Sequence, residues 1–267
     1  YFWRKVSDLS VETNLDVLAK TYEVPPLPPS FMAMELAKRH FSTPSDRPIL
    51  IQRYADALKE GLQGVTSMCF RDAGFSDDEV EALALALSES NSVSCTFIDL
   101  ASNAFSTRGL EMLAKSPCAG WLTQLALSLN PRIVTLPSSF CSALPKLTLL
   151  DLSSCRKLRE LPEGVGALAS LEALSIRACP AITKIPDSLG NLRQLRVLDL
   201  RQCSGLVEVP QTLSKILSLR DLPLDGCDEI VALPDLSRLP ELRVGKLPKR
   251  LSSWDTGGRV AFDFRRT

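Results

Sequence analysis

The chain has 267 residues, 31 Lys and Arg against 31 Asp and Glu, and 45% hydrophobic residues. That is enough apolar material for a large core in one or two domains, and the balanced charge excludes the electrostatic footprint of a nucleic-acid or anionic-membrane binder. No apolar run approaches the roughly 20 residues that cross a bilayer, so no membrane span is expected. Nor does the start have the charged, apolar and small-residue order of a signal peptide. The first residue is Tyr1 rather than Met, and the chain reads as a piece of something longer.

The first 62 residues carry no repeat and are expected to form a helical N-terminal cap. Two amphipathic segments, VSDLSVETNLDVLAKTY and RPILIQRYADALKEGL, flank a stiff EVPPLPPS linker. The PPLPP run suits either a ligand for a proline-binding domain or a spacer before a helix at SFMAMELAKRHF, and the spacer is preferred. The opening YFWRKV is read as packed cap residues rather than a membrane anchor. His40 is the one histidine, which leaves little for metal binding or for imidazole acid–base work.

From residue 63 to 247 the chain repeats. Numbering each copy from its first apolar residue, positions 1, 4 and 6 are apolar and position 9 is small or an amide. Leu147, Leu150, Leu152 and Cys155 fill this frame, then Leu171, Leu174, Ile176 and Cys179, then Leu195, Leu198, Leu200 and Cys203, then Leu219, Leu222, Leu224 and Cys227. Each step is 24 residues. Earlier copies are longer: Leu122, Leu125, Leu127 and Asn130, preceded by Cys95, Ile98, Leu100 and Asn103, and by a weaker Val65, Met68, Phe70 and Ala73. A shortened last copy is set at Leu239, Leu242, Val244 and Leu247. This spacing is similar to the leucine-rich repeat signature. It predicts an α/β solenoid of about eight repeats, an arc whose concave face is a short-stranded parallel sheet. Positions 4 and 6 point into the solenoid, and each coil covers apolar surface its neighbour cannot bury alone.

The frame also explains the cysteines. Cys69, Cys95, Cys118, Cys141, Cys155, Cys179, Cys203 and Cys227 are dispersed with no C-x-x-C, so paired-cysteine zinc sites are not expected. Four of them share position 9 with Asn103 and Asn130, where a small buried donor suits the turn out of the strand. They are read as reduced structural thiols in a reducing compartment; no cofactor and no metal site is expected. On the return side, Pro137, Pro162, Pro186, Pro210 and Pro234 favour a tight return over a long helix. The early copies differ: Ser76 and Ser106 suit N-caps of true α-helices, so the solenoid is expected to change class near Trp121. Residues 248–267 are read as a C-terminal cap, with Trp254, Val260, Phe262 and Phe264 over the final coil.

The late copies, such as LSIRACPAITKIPDSLGNLRQLRVLDLRQC at residues 174–203, resemble the repeats of type III effectors of the XopL type from plant-pathogenic bacteria. The C-x-x-L-x-x-L-P style also occurs in plant intracellular immune receptors. The effector resemblance implies a recognition end that binds a host target in the host cytoplasm. It further implies a ubiquitin ligase elsewhere in the parent protein, meeting a ubiquitin E2 there. The helix-bearing early copies are not part of that pattern, and no ligase domain or C-x-D motif is present.

Strand alternation turns positions 3, 5 and 7 to the concave surface. Candidate protein-binding residues there are Leu149, Asp151, Ser153, Ser175, Arg177, Val197, Asp199, Arg201, Asp221 and Asp225: an apolar strip with charged neighbours and arginine anchors. Asp151 and Asp199 sit two coils apart, about 10 Å, on an open arc, which does not suit paired-carboxylate hydrolysis. Phosphate-loop, nucleophile-elbow and zinc-protease motifs are absent from the sequence, so no catalytic residue is assigned. The expected function is non-catalytic recognition of a protein partner by a monomer. Three alternatives remain: the repeat region of a plant immune receptor, a ligase fragment with its own transfer activity, and a purely structural array in which no concave substitution affects an interaction.

Overall fold

Parallel strands of only two or three residues, one per coil, build a single sheet in the computed structural model. The structure describes residues 46–62, 64–89, 95–239, 241–248, 251 and 261–262, with single helical positions at Ser30, Ala33 and Ala37. The expectations for YFWRKV, the helix at 6–22, PPLPP, His40, Trp254, Val260 and Phe264 lie outside the described residues. So does the Phe262 side chain.

Helix α1 (Asp46–Leu62) leads into the first coil, where Leu58, Leu62 and Val65 join the core. The strands follow as β1 (Ser67–Cys69), β2 (Phe97–Asp99), β3 (Gln124–Ala126), β4 (Leu149–Asp151), β5 (Ala173–Ser175), β6 (Val197–Asp199), β7 (Asp221–Leu222), β8 (Arg243–Val244) and β9 (Ala261–Phe262). They pair strictly in chain order and always in parallel. From β1 to β6 the register keeps position 4 in line: Met68, Ile98, Leu125, Leu150, Leu174 and Leu198 stand side by side. These residues are all but inaccessible, as are Leu152, Ile176 and Leu200 at position 6. At about 25 cal/mol per Å² of apolar surface, this continuous leucine stack is the main favourable term for every coil. Strand β7 is cut short by Pro223, which has no N–H for the ladder.

The chain leaves strands β1 to β7 through position 8, where the backbone turns left-handed. This holds for Asp72, Ser102, Leu129, Ser154, Ala178, Gln202 and Gly226, with φ between 57° and 79°. That turn carries position 9 back inward. On the return side the early coils carry α2 (Asp77–Glu89) and α3 (Thr107–Lys115). As expected, Ser106 caps α3 by accepting from the Arg108 N–H, and Ser76 forms a capping box with Glu79. A last short helix, α4 (Ser138–Ala143), gives way to 3-10 turns at Glu163–Ala167, Asp187–Asn191 and Gln211–Lys215. Pro162, Pro186 and Pro210 each precede one of these turns with φ from −67° to −70°. Successive turns pack so closely that a Cβ on Gly190 would come within 2.5 Å of Thr212 Cβ.

The last coil departs from the frame read in the sequence. Val244, expected at position 6, lies opposite Leu222 at position 4, and Arg243 lies opposite Asp221. The segment from Pro234 to Leu236 is one residue shorter than that from Pro210 to Leu213. Leu236, Leu239 and Leu242 therefore take the places of Leu213, Ile216 and Leu219. The same backbone bonds follow: Leu242 N–H to Leu239 C=O matches Leu219 N–H to Ile216 C=O. Leu242 thus packs as the position-1 residue does, not as position 4, and the chain reaches the position-4 residue Val244 with one residue fewer between them than from Leu219 to Leu222.

Candidate functional site

Position 9 is occupied as the frame requires. The thiols of Cys155, Cys179, Cys203 and Cys227 donate to the position-6 carbonyls of the preceding coil, those of Leu127, Leu152, Ile176 and Leu200, at 2.9 to 3.3 Å. Asn103 and Asn130 donate their amides to the equivalent carbonyls of Phe70 and Leu100. Their side-chain carbonyls additionally accept from the N–H groups of Phe75 and Asn103. Burial pushes the Cys155 and Cys227 thiols up to about 12 and Cys203 to about 11, and raises Cys179 as well. Neutral, hydrogen-bonded sulfurs of this kind are poor nucleophiles and poor metal ligands. All eight cysteines are free and buried.

The concave residues divide into two groups. Leu149, Asp151, Ser175 and Asp199 are between 0% and 4% exposed; Ser153, Arg177, Val197, Arg201, Asp221 and Asp225 are partly exposed. Leu149, Ala173 and Val197 form a small apolar cluster of their own, apart from the main core. The position-5 carboxylates turn onto their own chain. Asp99, Asp151 and Asp199 accept from the N–H two residues on, at Ala101, Ser153 and Arg201, so each satisfies a backbone donor that the sheet leaves unpaired.

Arg201 also grips Asp199 in a two-pronged ion pair, through Nε to Oδ1 at 2.9 Å and through Nη2 to Oδ2. Arg71, from the preceding coil, reaches Asp99 with Nε and Nη2 both on Oδ2, at 3.0 and 2.9 Å. The Ser153 and Ser175 hydroxyls share a hydrogen bond of 2.7 Å. What this leaves toward solvent in the middle of the face is Arg177 at the exit end of its strand and, at the entry end of the next, Val197 opposite Ala173. Among the described residues no acid lies within ion-pair distance of the Arg177 guanidinium.

Sequence reasoning missed Arg243, which the shortened last coil brings beside Asp221 at the C-terminal end of the sheet. It also missed the strand-entry edge at position 2. There the hydroxyls of Thr96, Thr123 and Thr148 each donate to the preceding coil's backbone, at Thr66, Thr96 and Thr123. Further along the same edge, Arg196 pairs with Glu172 and Arg220 with Glu241. The recurrence of Thr at one frame position was the signal available. Among the described residues no group of His, Cys, Asp and Glu is arranged to hold a metal ion, and no helix is long and apolar enough to cross a membrane.

The family model described as a leucine-rich repeat region matches residues 110–257. No curated protein matches the chain. Among solved structures, internalin C2 of Listeria monocytogenes is 18% identical with a TM-score of 0.52, over 76% of this chain and 83% of that one. The leucine-rich repeat domain of the type III effector XopL is 18% identical with a TM-score of 0.43, over 91% and 98%. The Arabidopsis receptor kinase HAESA, solved with the peptide hormone IDA and the co-receptor SERK1, is 22% identical with a TM-score of 0.43, over 75% and 38%. This chain therefore spans little more than a third of that receptor chain. At such identities the likeness is one of fold, and the internalin alignment carries it.

Proposed function

Because this chain belongs to the leucine-rich repeat family, we propose that it is a protein-recognition module whose partner seats on the concave sheet. The observation that carries this reading is the solvent-facing group Ser153, Arg177, Val197, Arg201, Asp221 and Asp225. These side chains are held in register by strands β4 to β7, and the buried position-5 carboxylates fix the backbone beneath them. A rigid, preformed face with an arginine at one end of its central strands and a small apolar patch at the other suits protein binding.

We extend the proposal to the parent protein on the strength of the late-repeat resemblance. The chain is the target-binding part of a bacterial effector acting in the cytoplasm of plant cells, with any ubiquitin transfer and E2 contact residing in other parts of that protein. The chain itself is assigned no catalysis.

The test is affinity capture from plant-cell extract with wild type and with Arg177→Glu combined with Val197→Asp, after both are found to melt alike. Arg201 is left intact because its loss would strand the Asp199 carboxylate, only 2% exposed. Partners lost from the double variant place recognition on this face. An unchanged set of partners refutes the concave assignment.

A further inference from the structure

The late coils carry a second feature, on the return side rather than the concave one. Between positions 13 and 17 of four successive coils runs a groove of about 620 Å³. Leu161, Ile185 and Val209 form its floor and are only 4% to 6% exposed. Pro162, Pro186 and Pro210 line it, and Val207 and Val231 stand open to solvent at 36% and 56%. The backbone beneath is tied by a second ladder of single parallel bridges, Lys184 to Glu208 and Glu208 to Ala232, supported by the Val207 N–H to Thr183 C=O bond at 2.8 Å. The groove is thus a stiff surface.

Its rim carries Glu160, Glu163, Asp187 and Glu208 against a single cation, Lys184. All five are exposed. Here two exposed valines stand over a continuous apolar floor, and the rim's excess of carboxylates selects the sign of what covers them. Three inter-coil steps give the groove a length of about 14 Å, which an extended segment spans in four or five residues at about 3.3 Å each.

We propose that this groove is a docking site for an extended peptide segment of a partner protein in which lysines or arginines alternate with small apolar residues. The apolar side chains meet Val207 and Val231, and the cations meet the carboxylates of Glu160, Glu163, Asp187 and Glu208. The site is independent of the concave reading and lies on a different face of the same coils.

The probe is a fluorescein-labelled heptapeptide, Gly-Lys-Val-Lys-Val-Lys-Gly, compared with Gly-Glu-Val-Glu-Val-Glu-Gly and with a lysine peptide whose valines are replaced by serine. Saturable binding of the first peptide is expected, with at least tenfold weaker binding of the other two. A further loss of at least tenfold is expected in Glu160→Gln with Glu208→Gln, two exposed positions that leave the Glu163 contact to the Ser188 N–H intact. Arg177→Glu should leave binding unchanged, which separates this site from the concave one. Zero-length carbodiimide cross-linking on the wild-type chain should join peptide lysines to the four rim carboxylates. Equal binding of the serine peptide, no saturable binding, or cross-links confined to other acids would each overturn the proposal.

Discussion

At position 8 six residues with a Cβ hold a left-handed backbone, at φ from 57° to 61°, a conformation that costs an ordinary residue about 1–2 kcal/mol. The coils tolerate it because the position-8 N–H reaches the next coil, as Ser154 does to Arg177 C=O at 2.7 Å, and because the turn delivers position 9 to its buried bond. Glycine relieves the strain but gives the unfolded chain more freedom, a loss of about 0.4–1 kcal/mol. Ala178→Gly should therefore be neutral to stabilising by up to about 1 kcal/mol. Gly226→Ala, whose new Cβ meets Gln202 Cα at an ordinary 3.4 Å, should cost about 1 kcal/mol by conformation alone. Denaturant midpoints measured for both variants decide this, and two shifts of the same sign contradict it. The thiols give a second prediction. Their folded pKa lies above the unfolded value of about 8.5, so the stability they contribute is complete below that pH and is lost as pH rises toward 11 and 12. The melting temperature should fall steadily from pH 8 to pH 11. At pH 8 iodoacetamide should modify the described cysteines only after denaturation, as read by mass spectrometry.

Between elements, the firmest polar link on the early return side runs from α2 to α3. Asp77, in the first turn of α2, accepts from the Ser106 and Gly109 N–H groups and from the Ser106 hydroxyl, at 2.7 to 2.9 Å. It thereby caps the neighbouring coil's helix as well as serving its own. Burial works against its ionisation, but these bonds and nearby Arg108 outweigh it and hold the carboxyl below the usual aspartate range. Because the folded pKa is depressed, its contribution is present above the unfolded value near 4 and lost as pH falls through the folded one. Asp77→Ala should cost about 1 kcal/mol at pH 7, with the difference from wild type narrowing as the pH drops below 4. A difference that stays constant down to pH 2 would remove the carboxylate from the account. Gly109 belongs to the same joint: a Cβ there would stand 2.9 Å from Asp77 Oδ1, so Gly109→Ala should disturb this link even though alanine favours helix.

Across the whole molecule, what the sequence disclosed was what recurs. Positions 1, 4, 6 and 9 were legible because seven copies agree and because apolar alternation has one physical reading. The left-handed turn at position 8 was not, since Asp72, Leu129, Ala178 and Gln202 share no chemistry and only Gly226 hints at it. The last coil was misframed because leucines at three-residue spacing fit two registers, and only the pairing of Leu222 with Val244 separates them. Alternation assigned Asp151 and Asp199 to the concave face of the strands, where they are only 4% and 2% exposed. It could not reveal that their carboxylates turn back onto Ser153 and Arg201. Since the coils are so nearly equivalent, removing residues 172–195 as one 24-residue unit should yield a shorter folded protein, with a strand-rich circular dichroism spectrum and a single cooperative melt. Leu198→Asp, by contrast, should abolish cooperative folding of the late coils, since it buries a charge in the leucine stack.

The side-chain bonds between late coils also have a direction. The thiols of Cys155 through Cys227, and the hydroxyls of Ser170, Thr212 and Ser218, all donate from a later coil to a carbonyl of an earlier one. The protein is therefore asymmetric to trimming. Among these side-chain bonds, shortening from the C-terminus exposes carbonyl acceptors, which water and spare lone pairs accommodate readily, whereas shortening from the N-terminus strips a thiol or hydroxyl donor of its cross-coil mate. The backbone ladder, by contrast, runs both ways, as Ser154 N–H to Arg177 C=O shows. The side-chain bonds are also suited to the order of synthesis: the thiol of each new late coil finds its carbonyl acceptor already in place on the coil before.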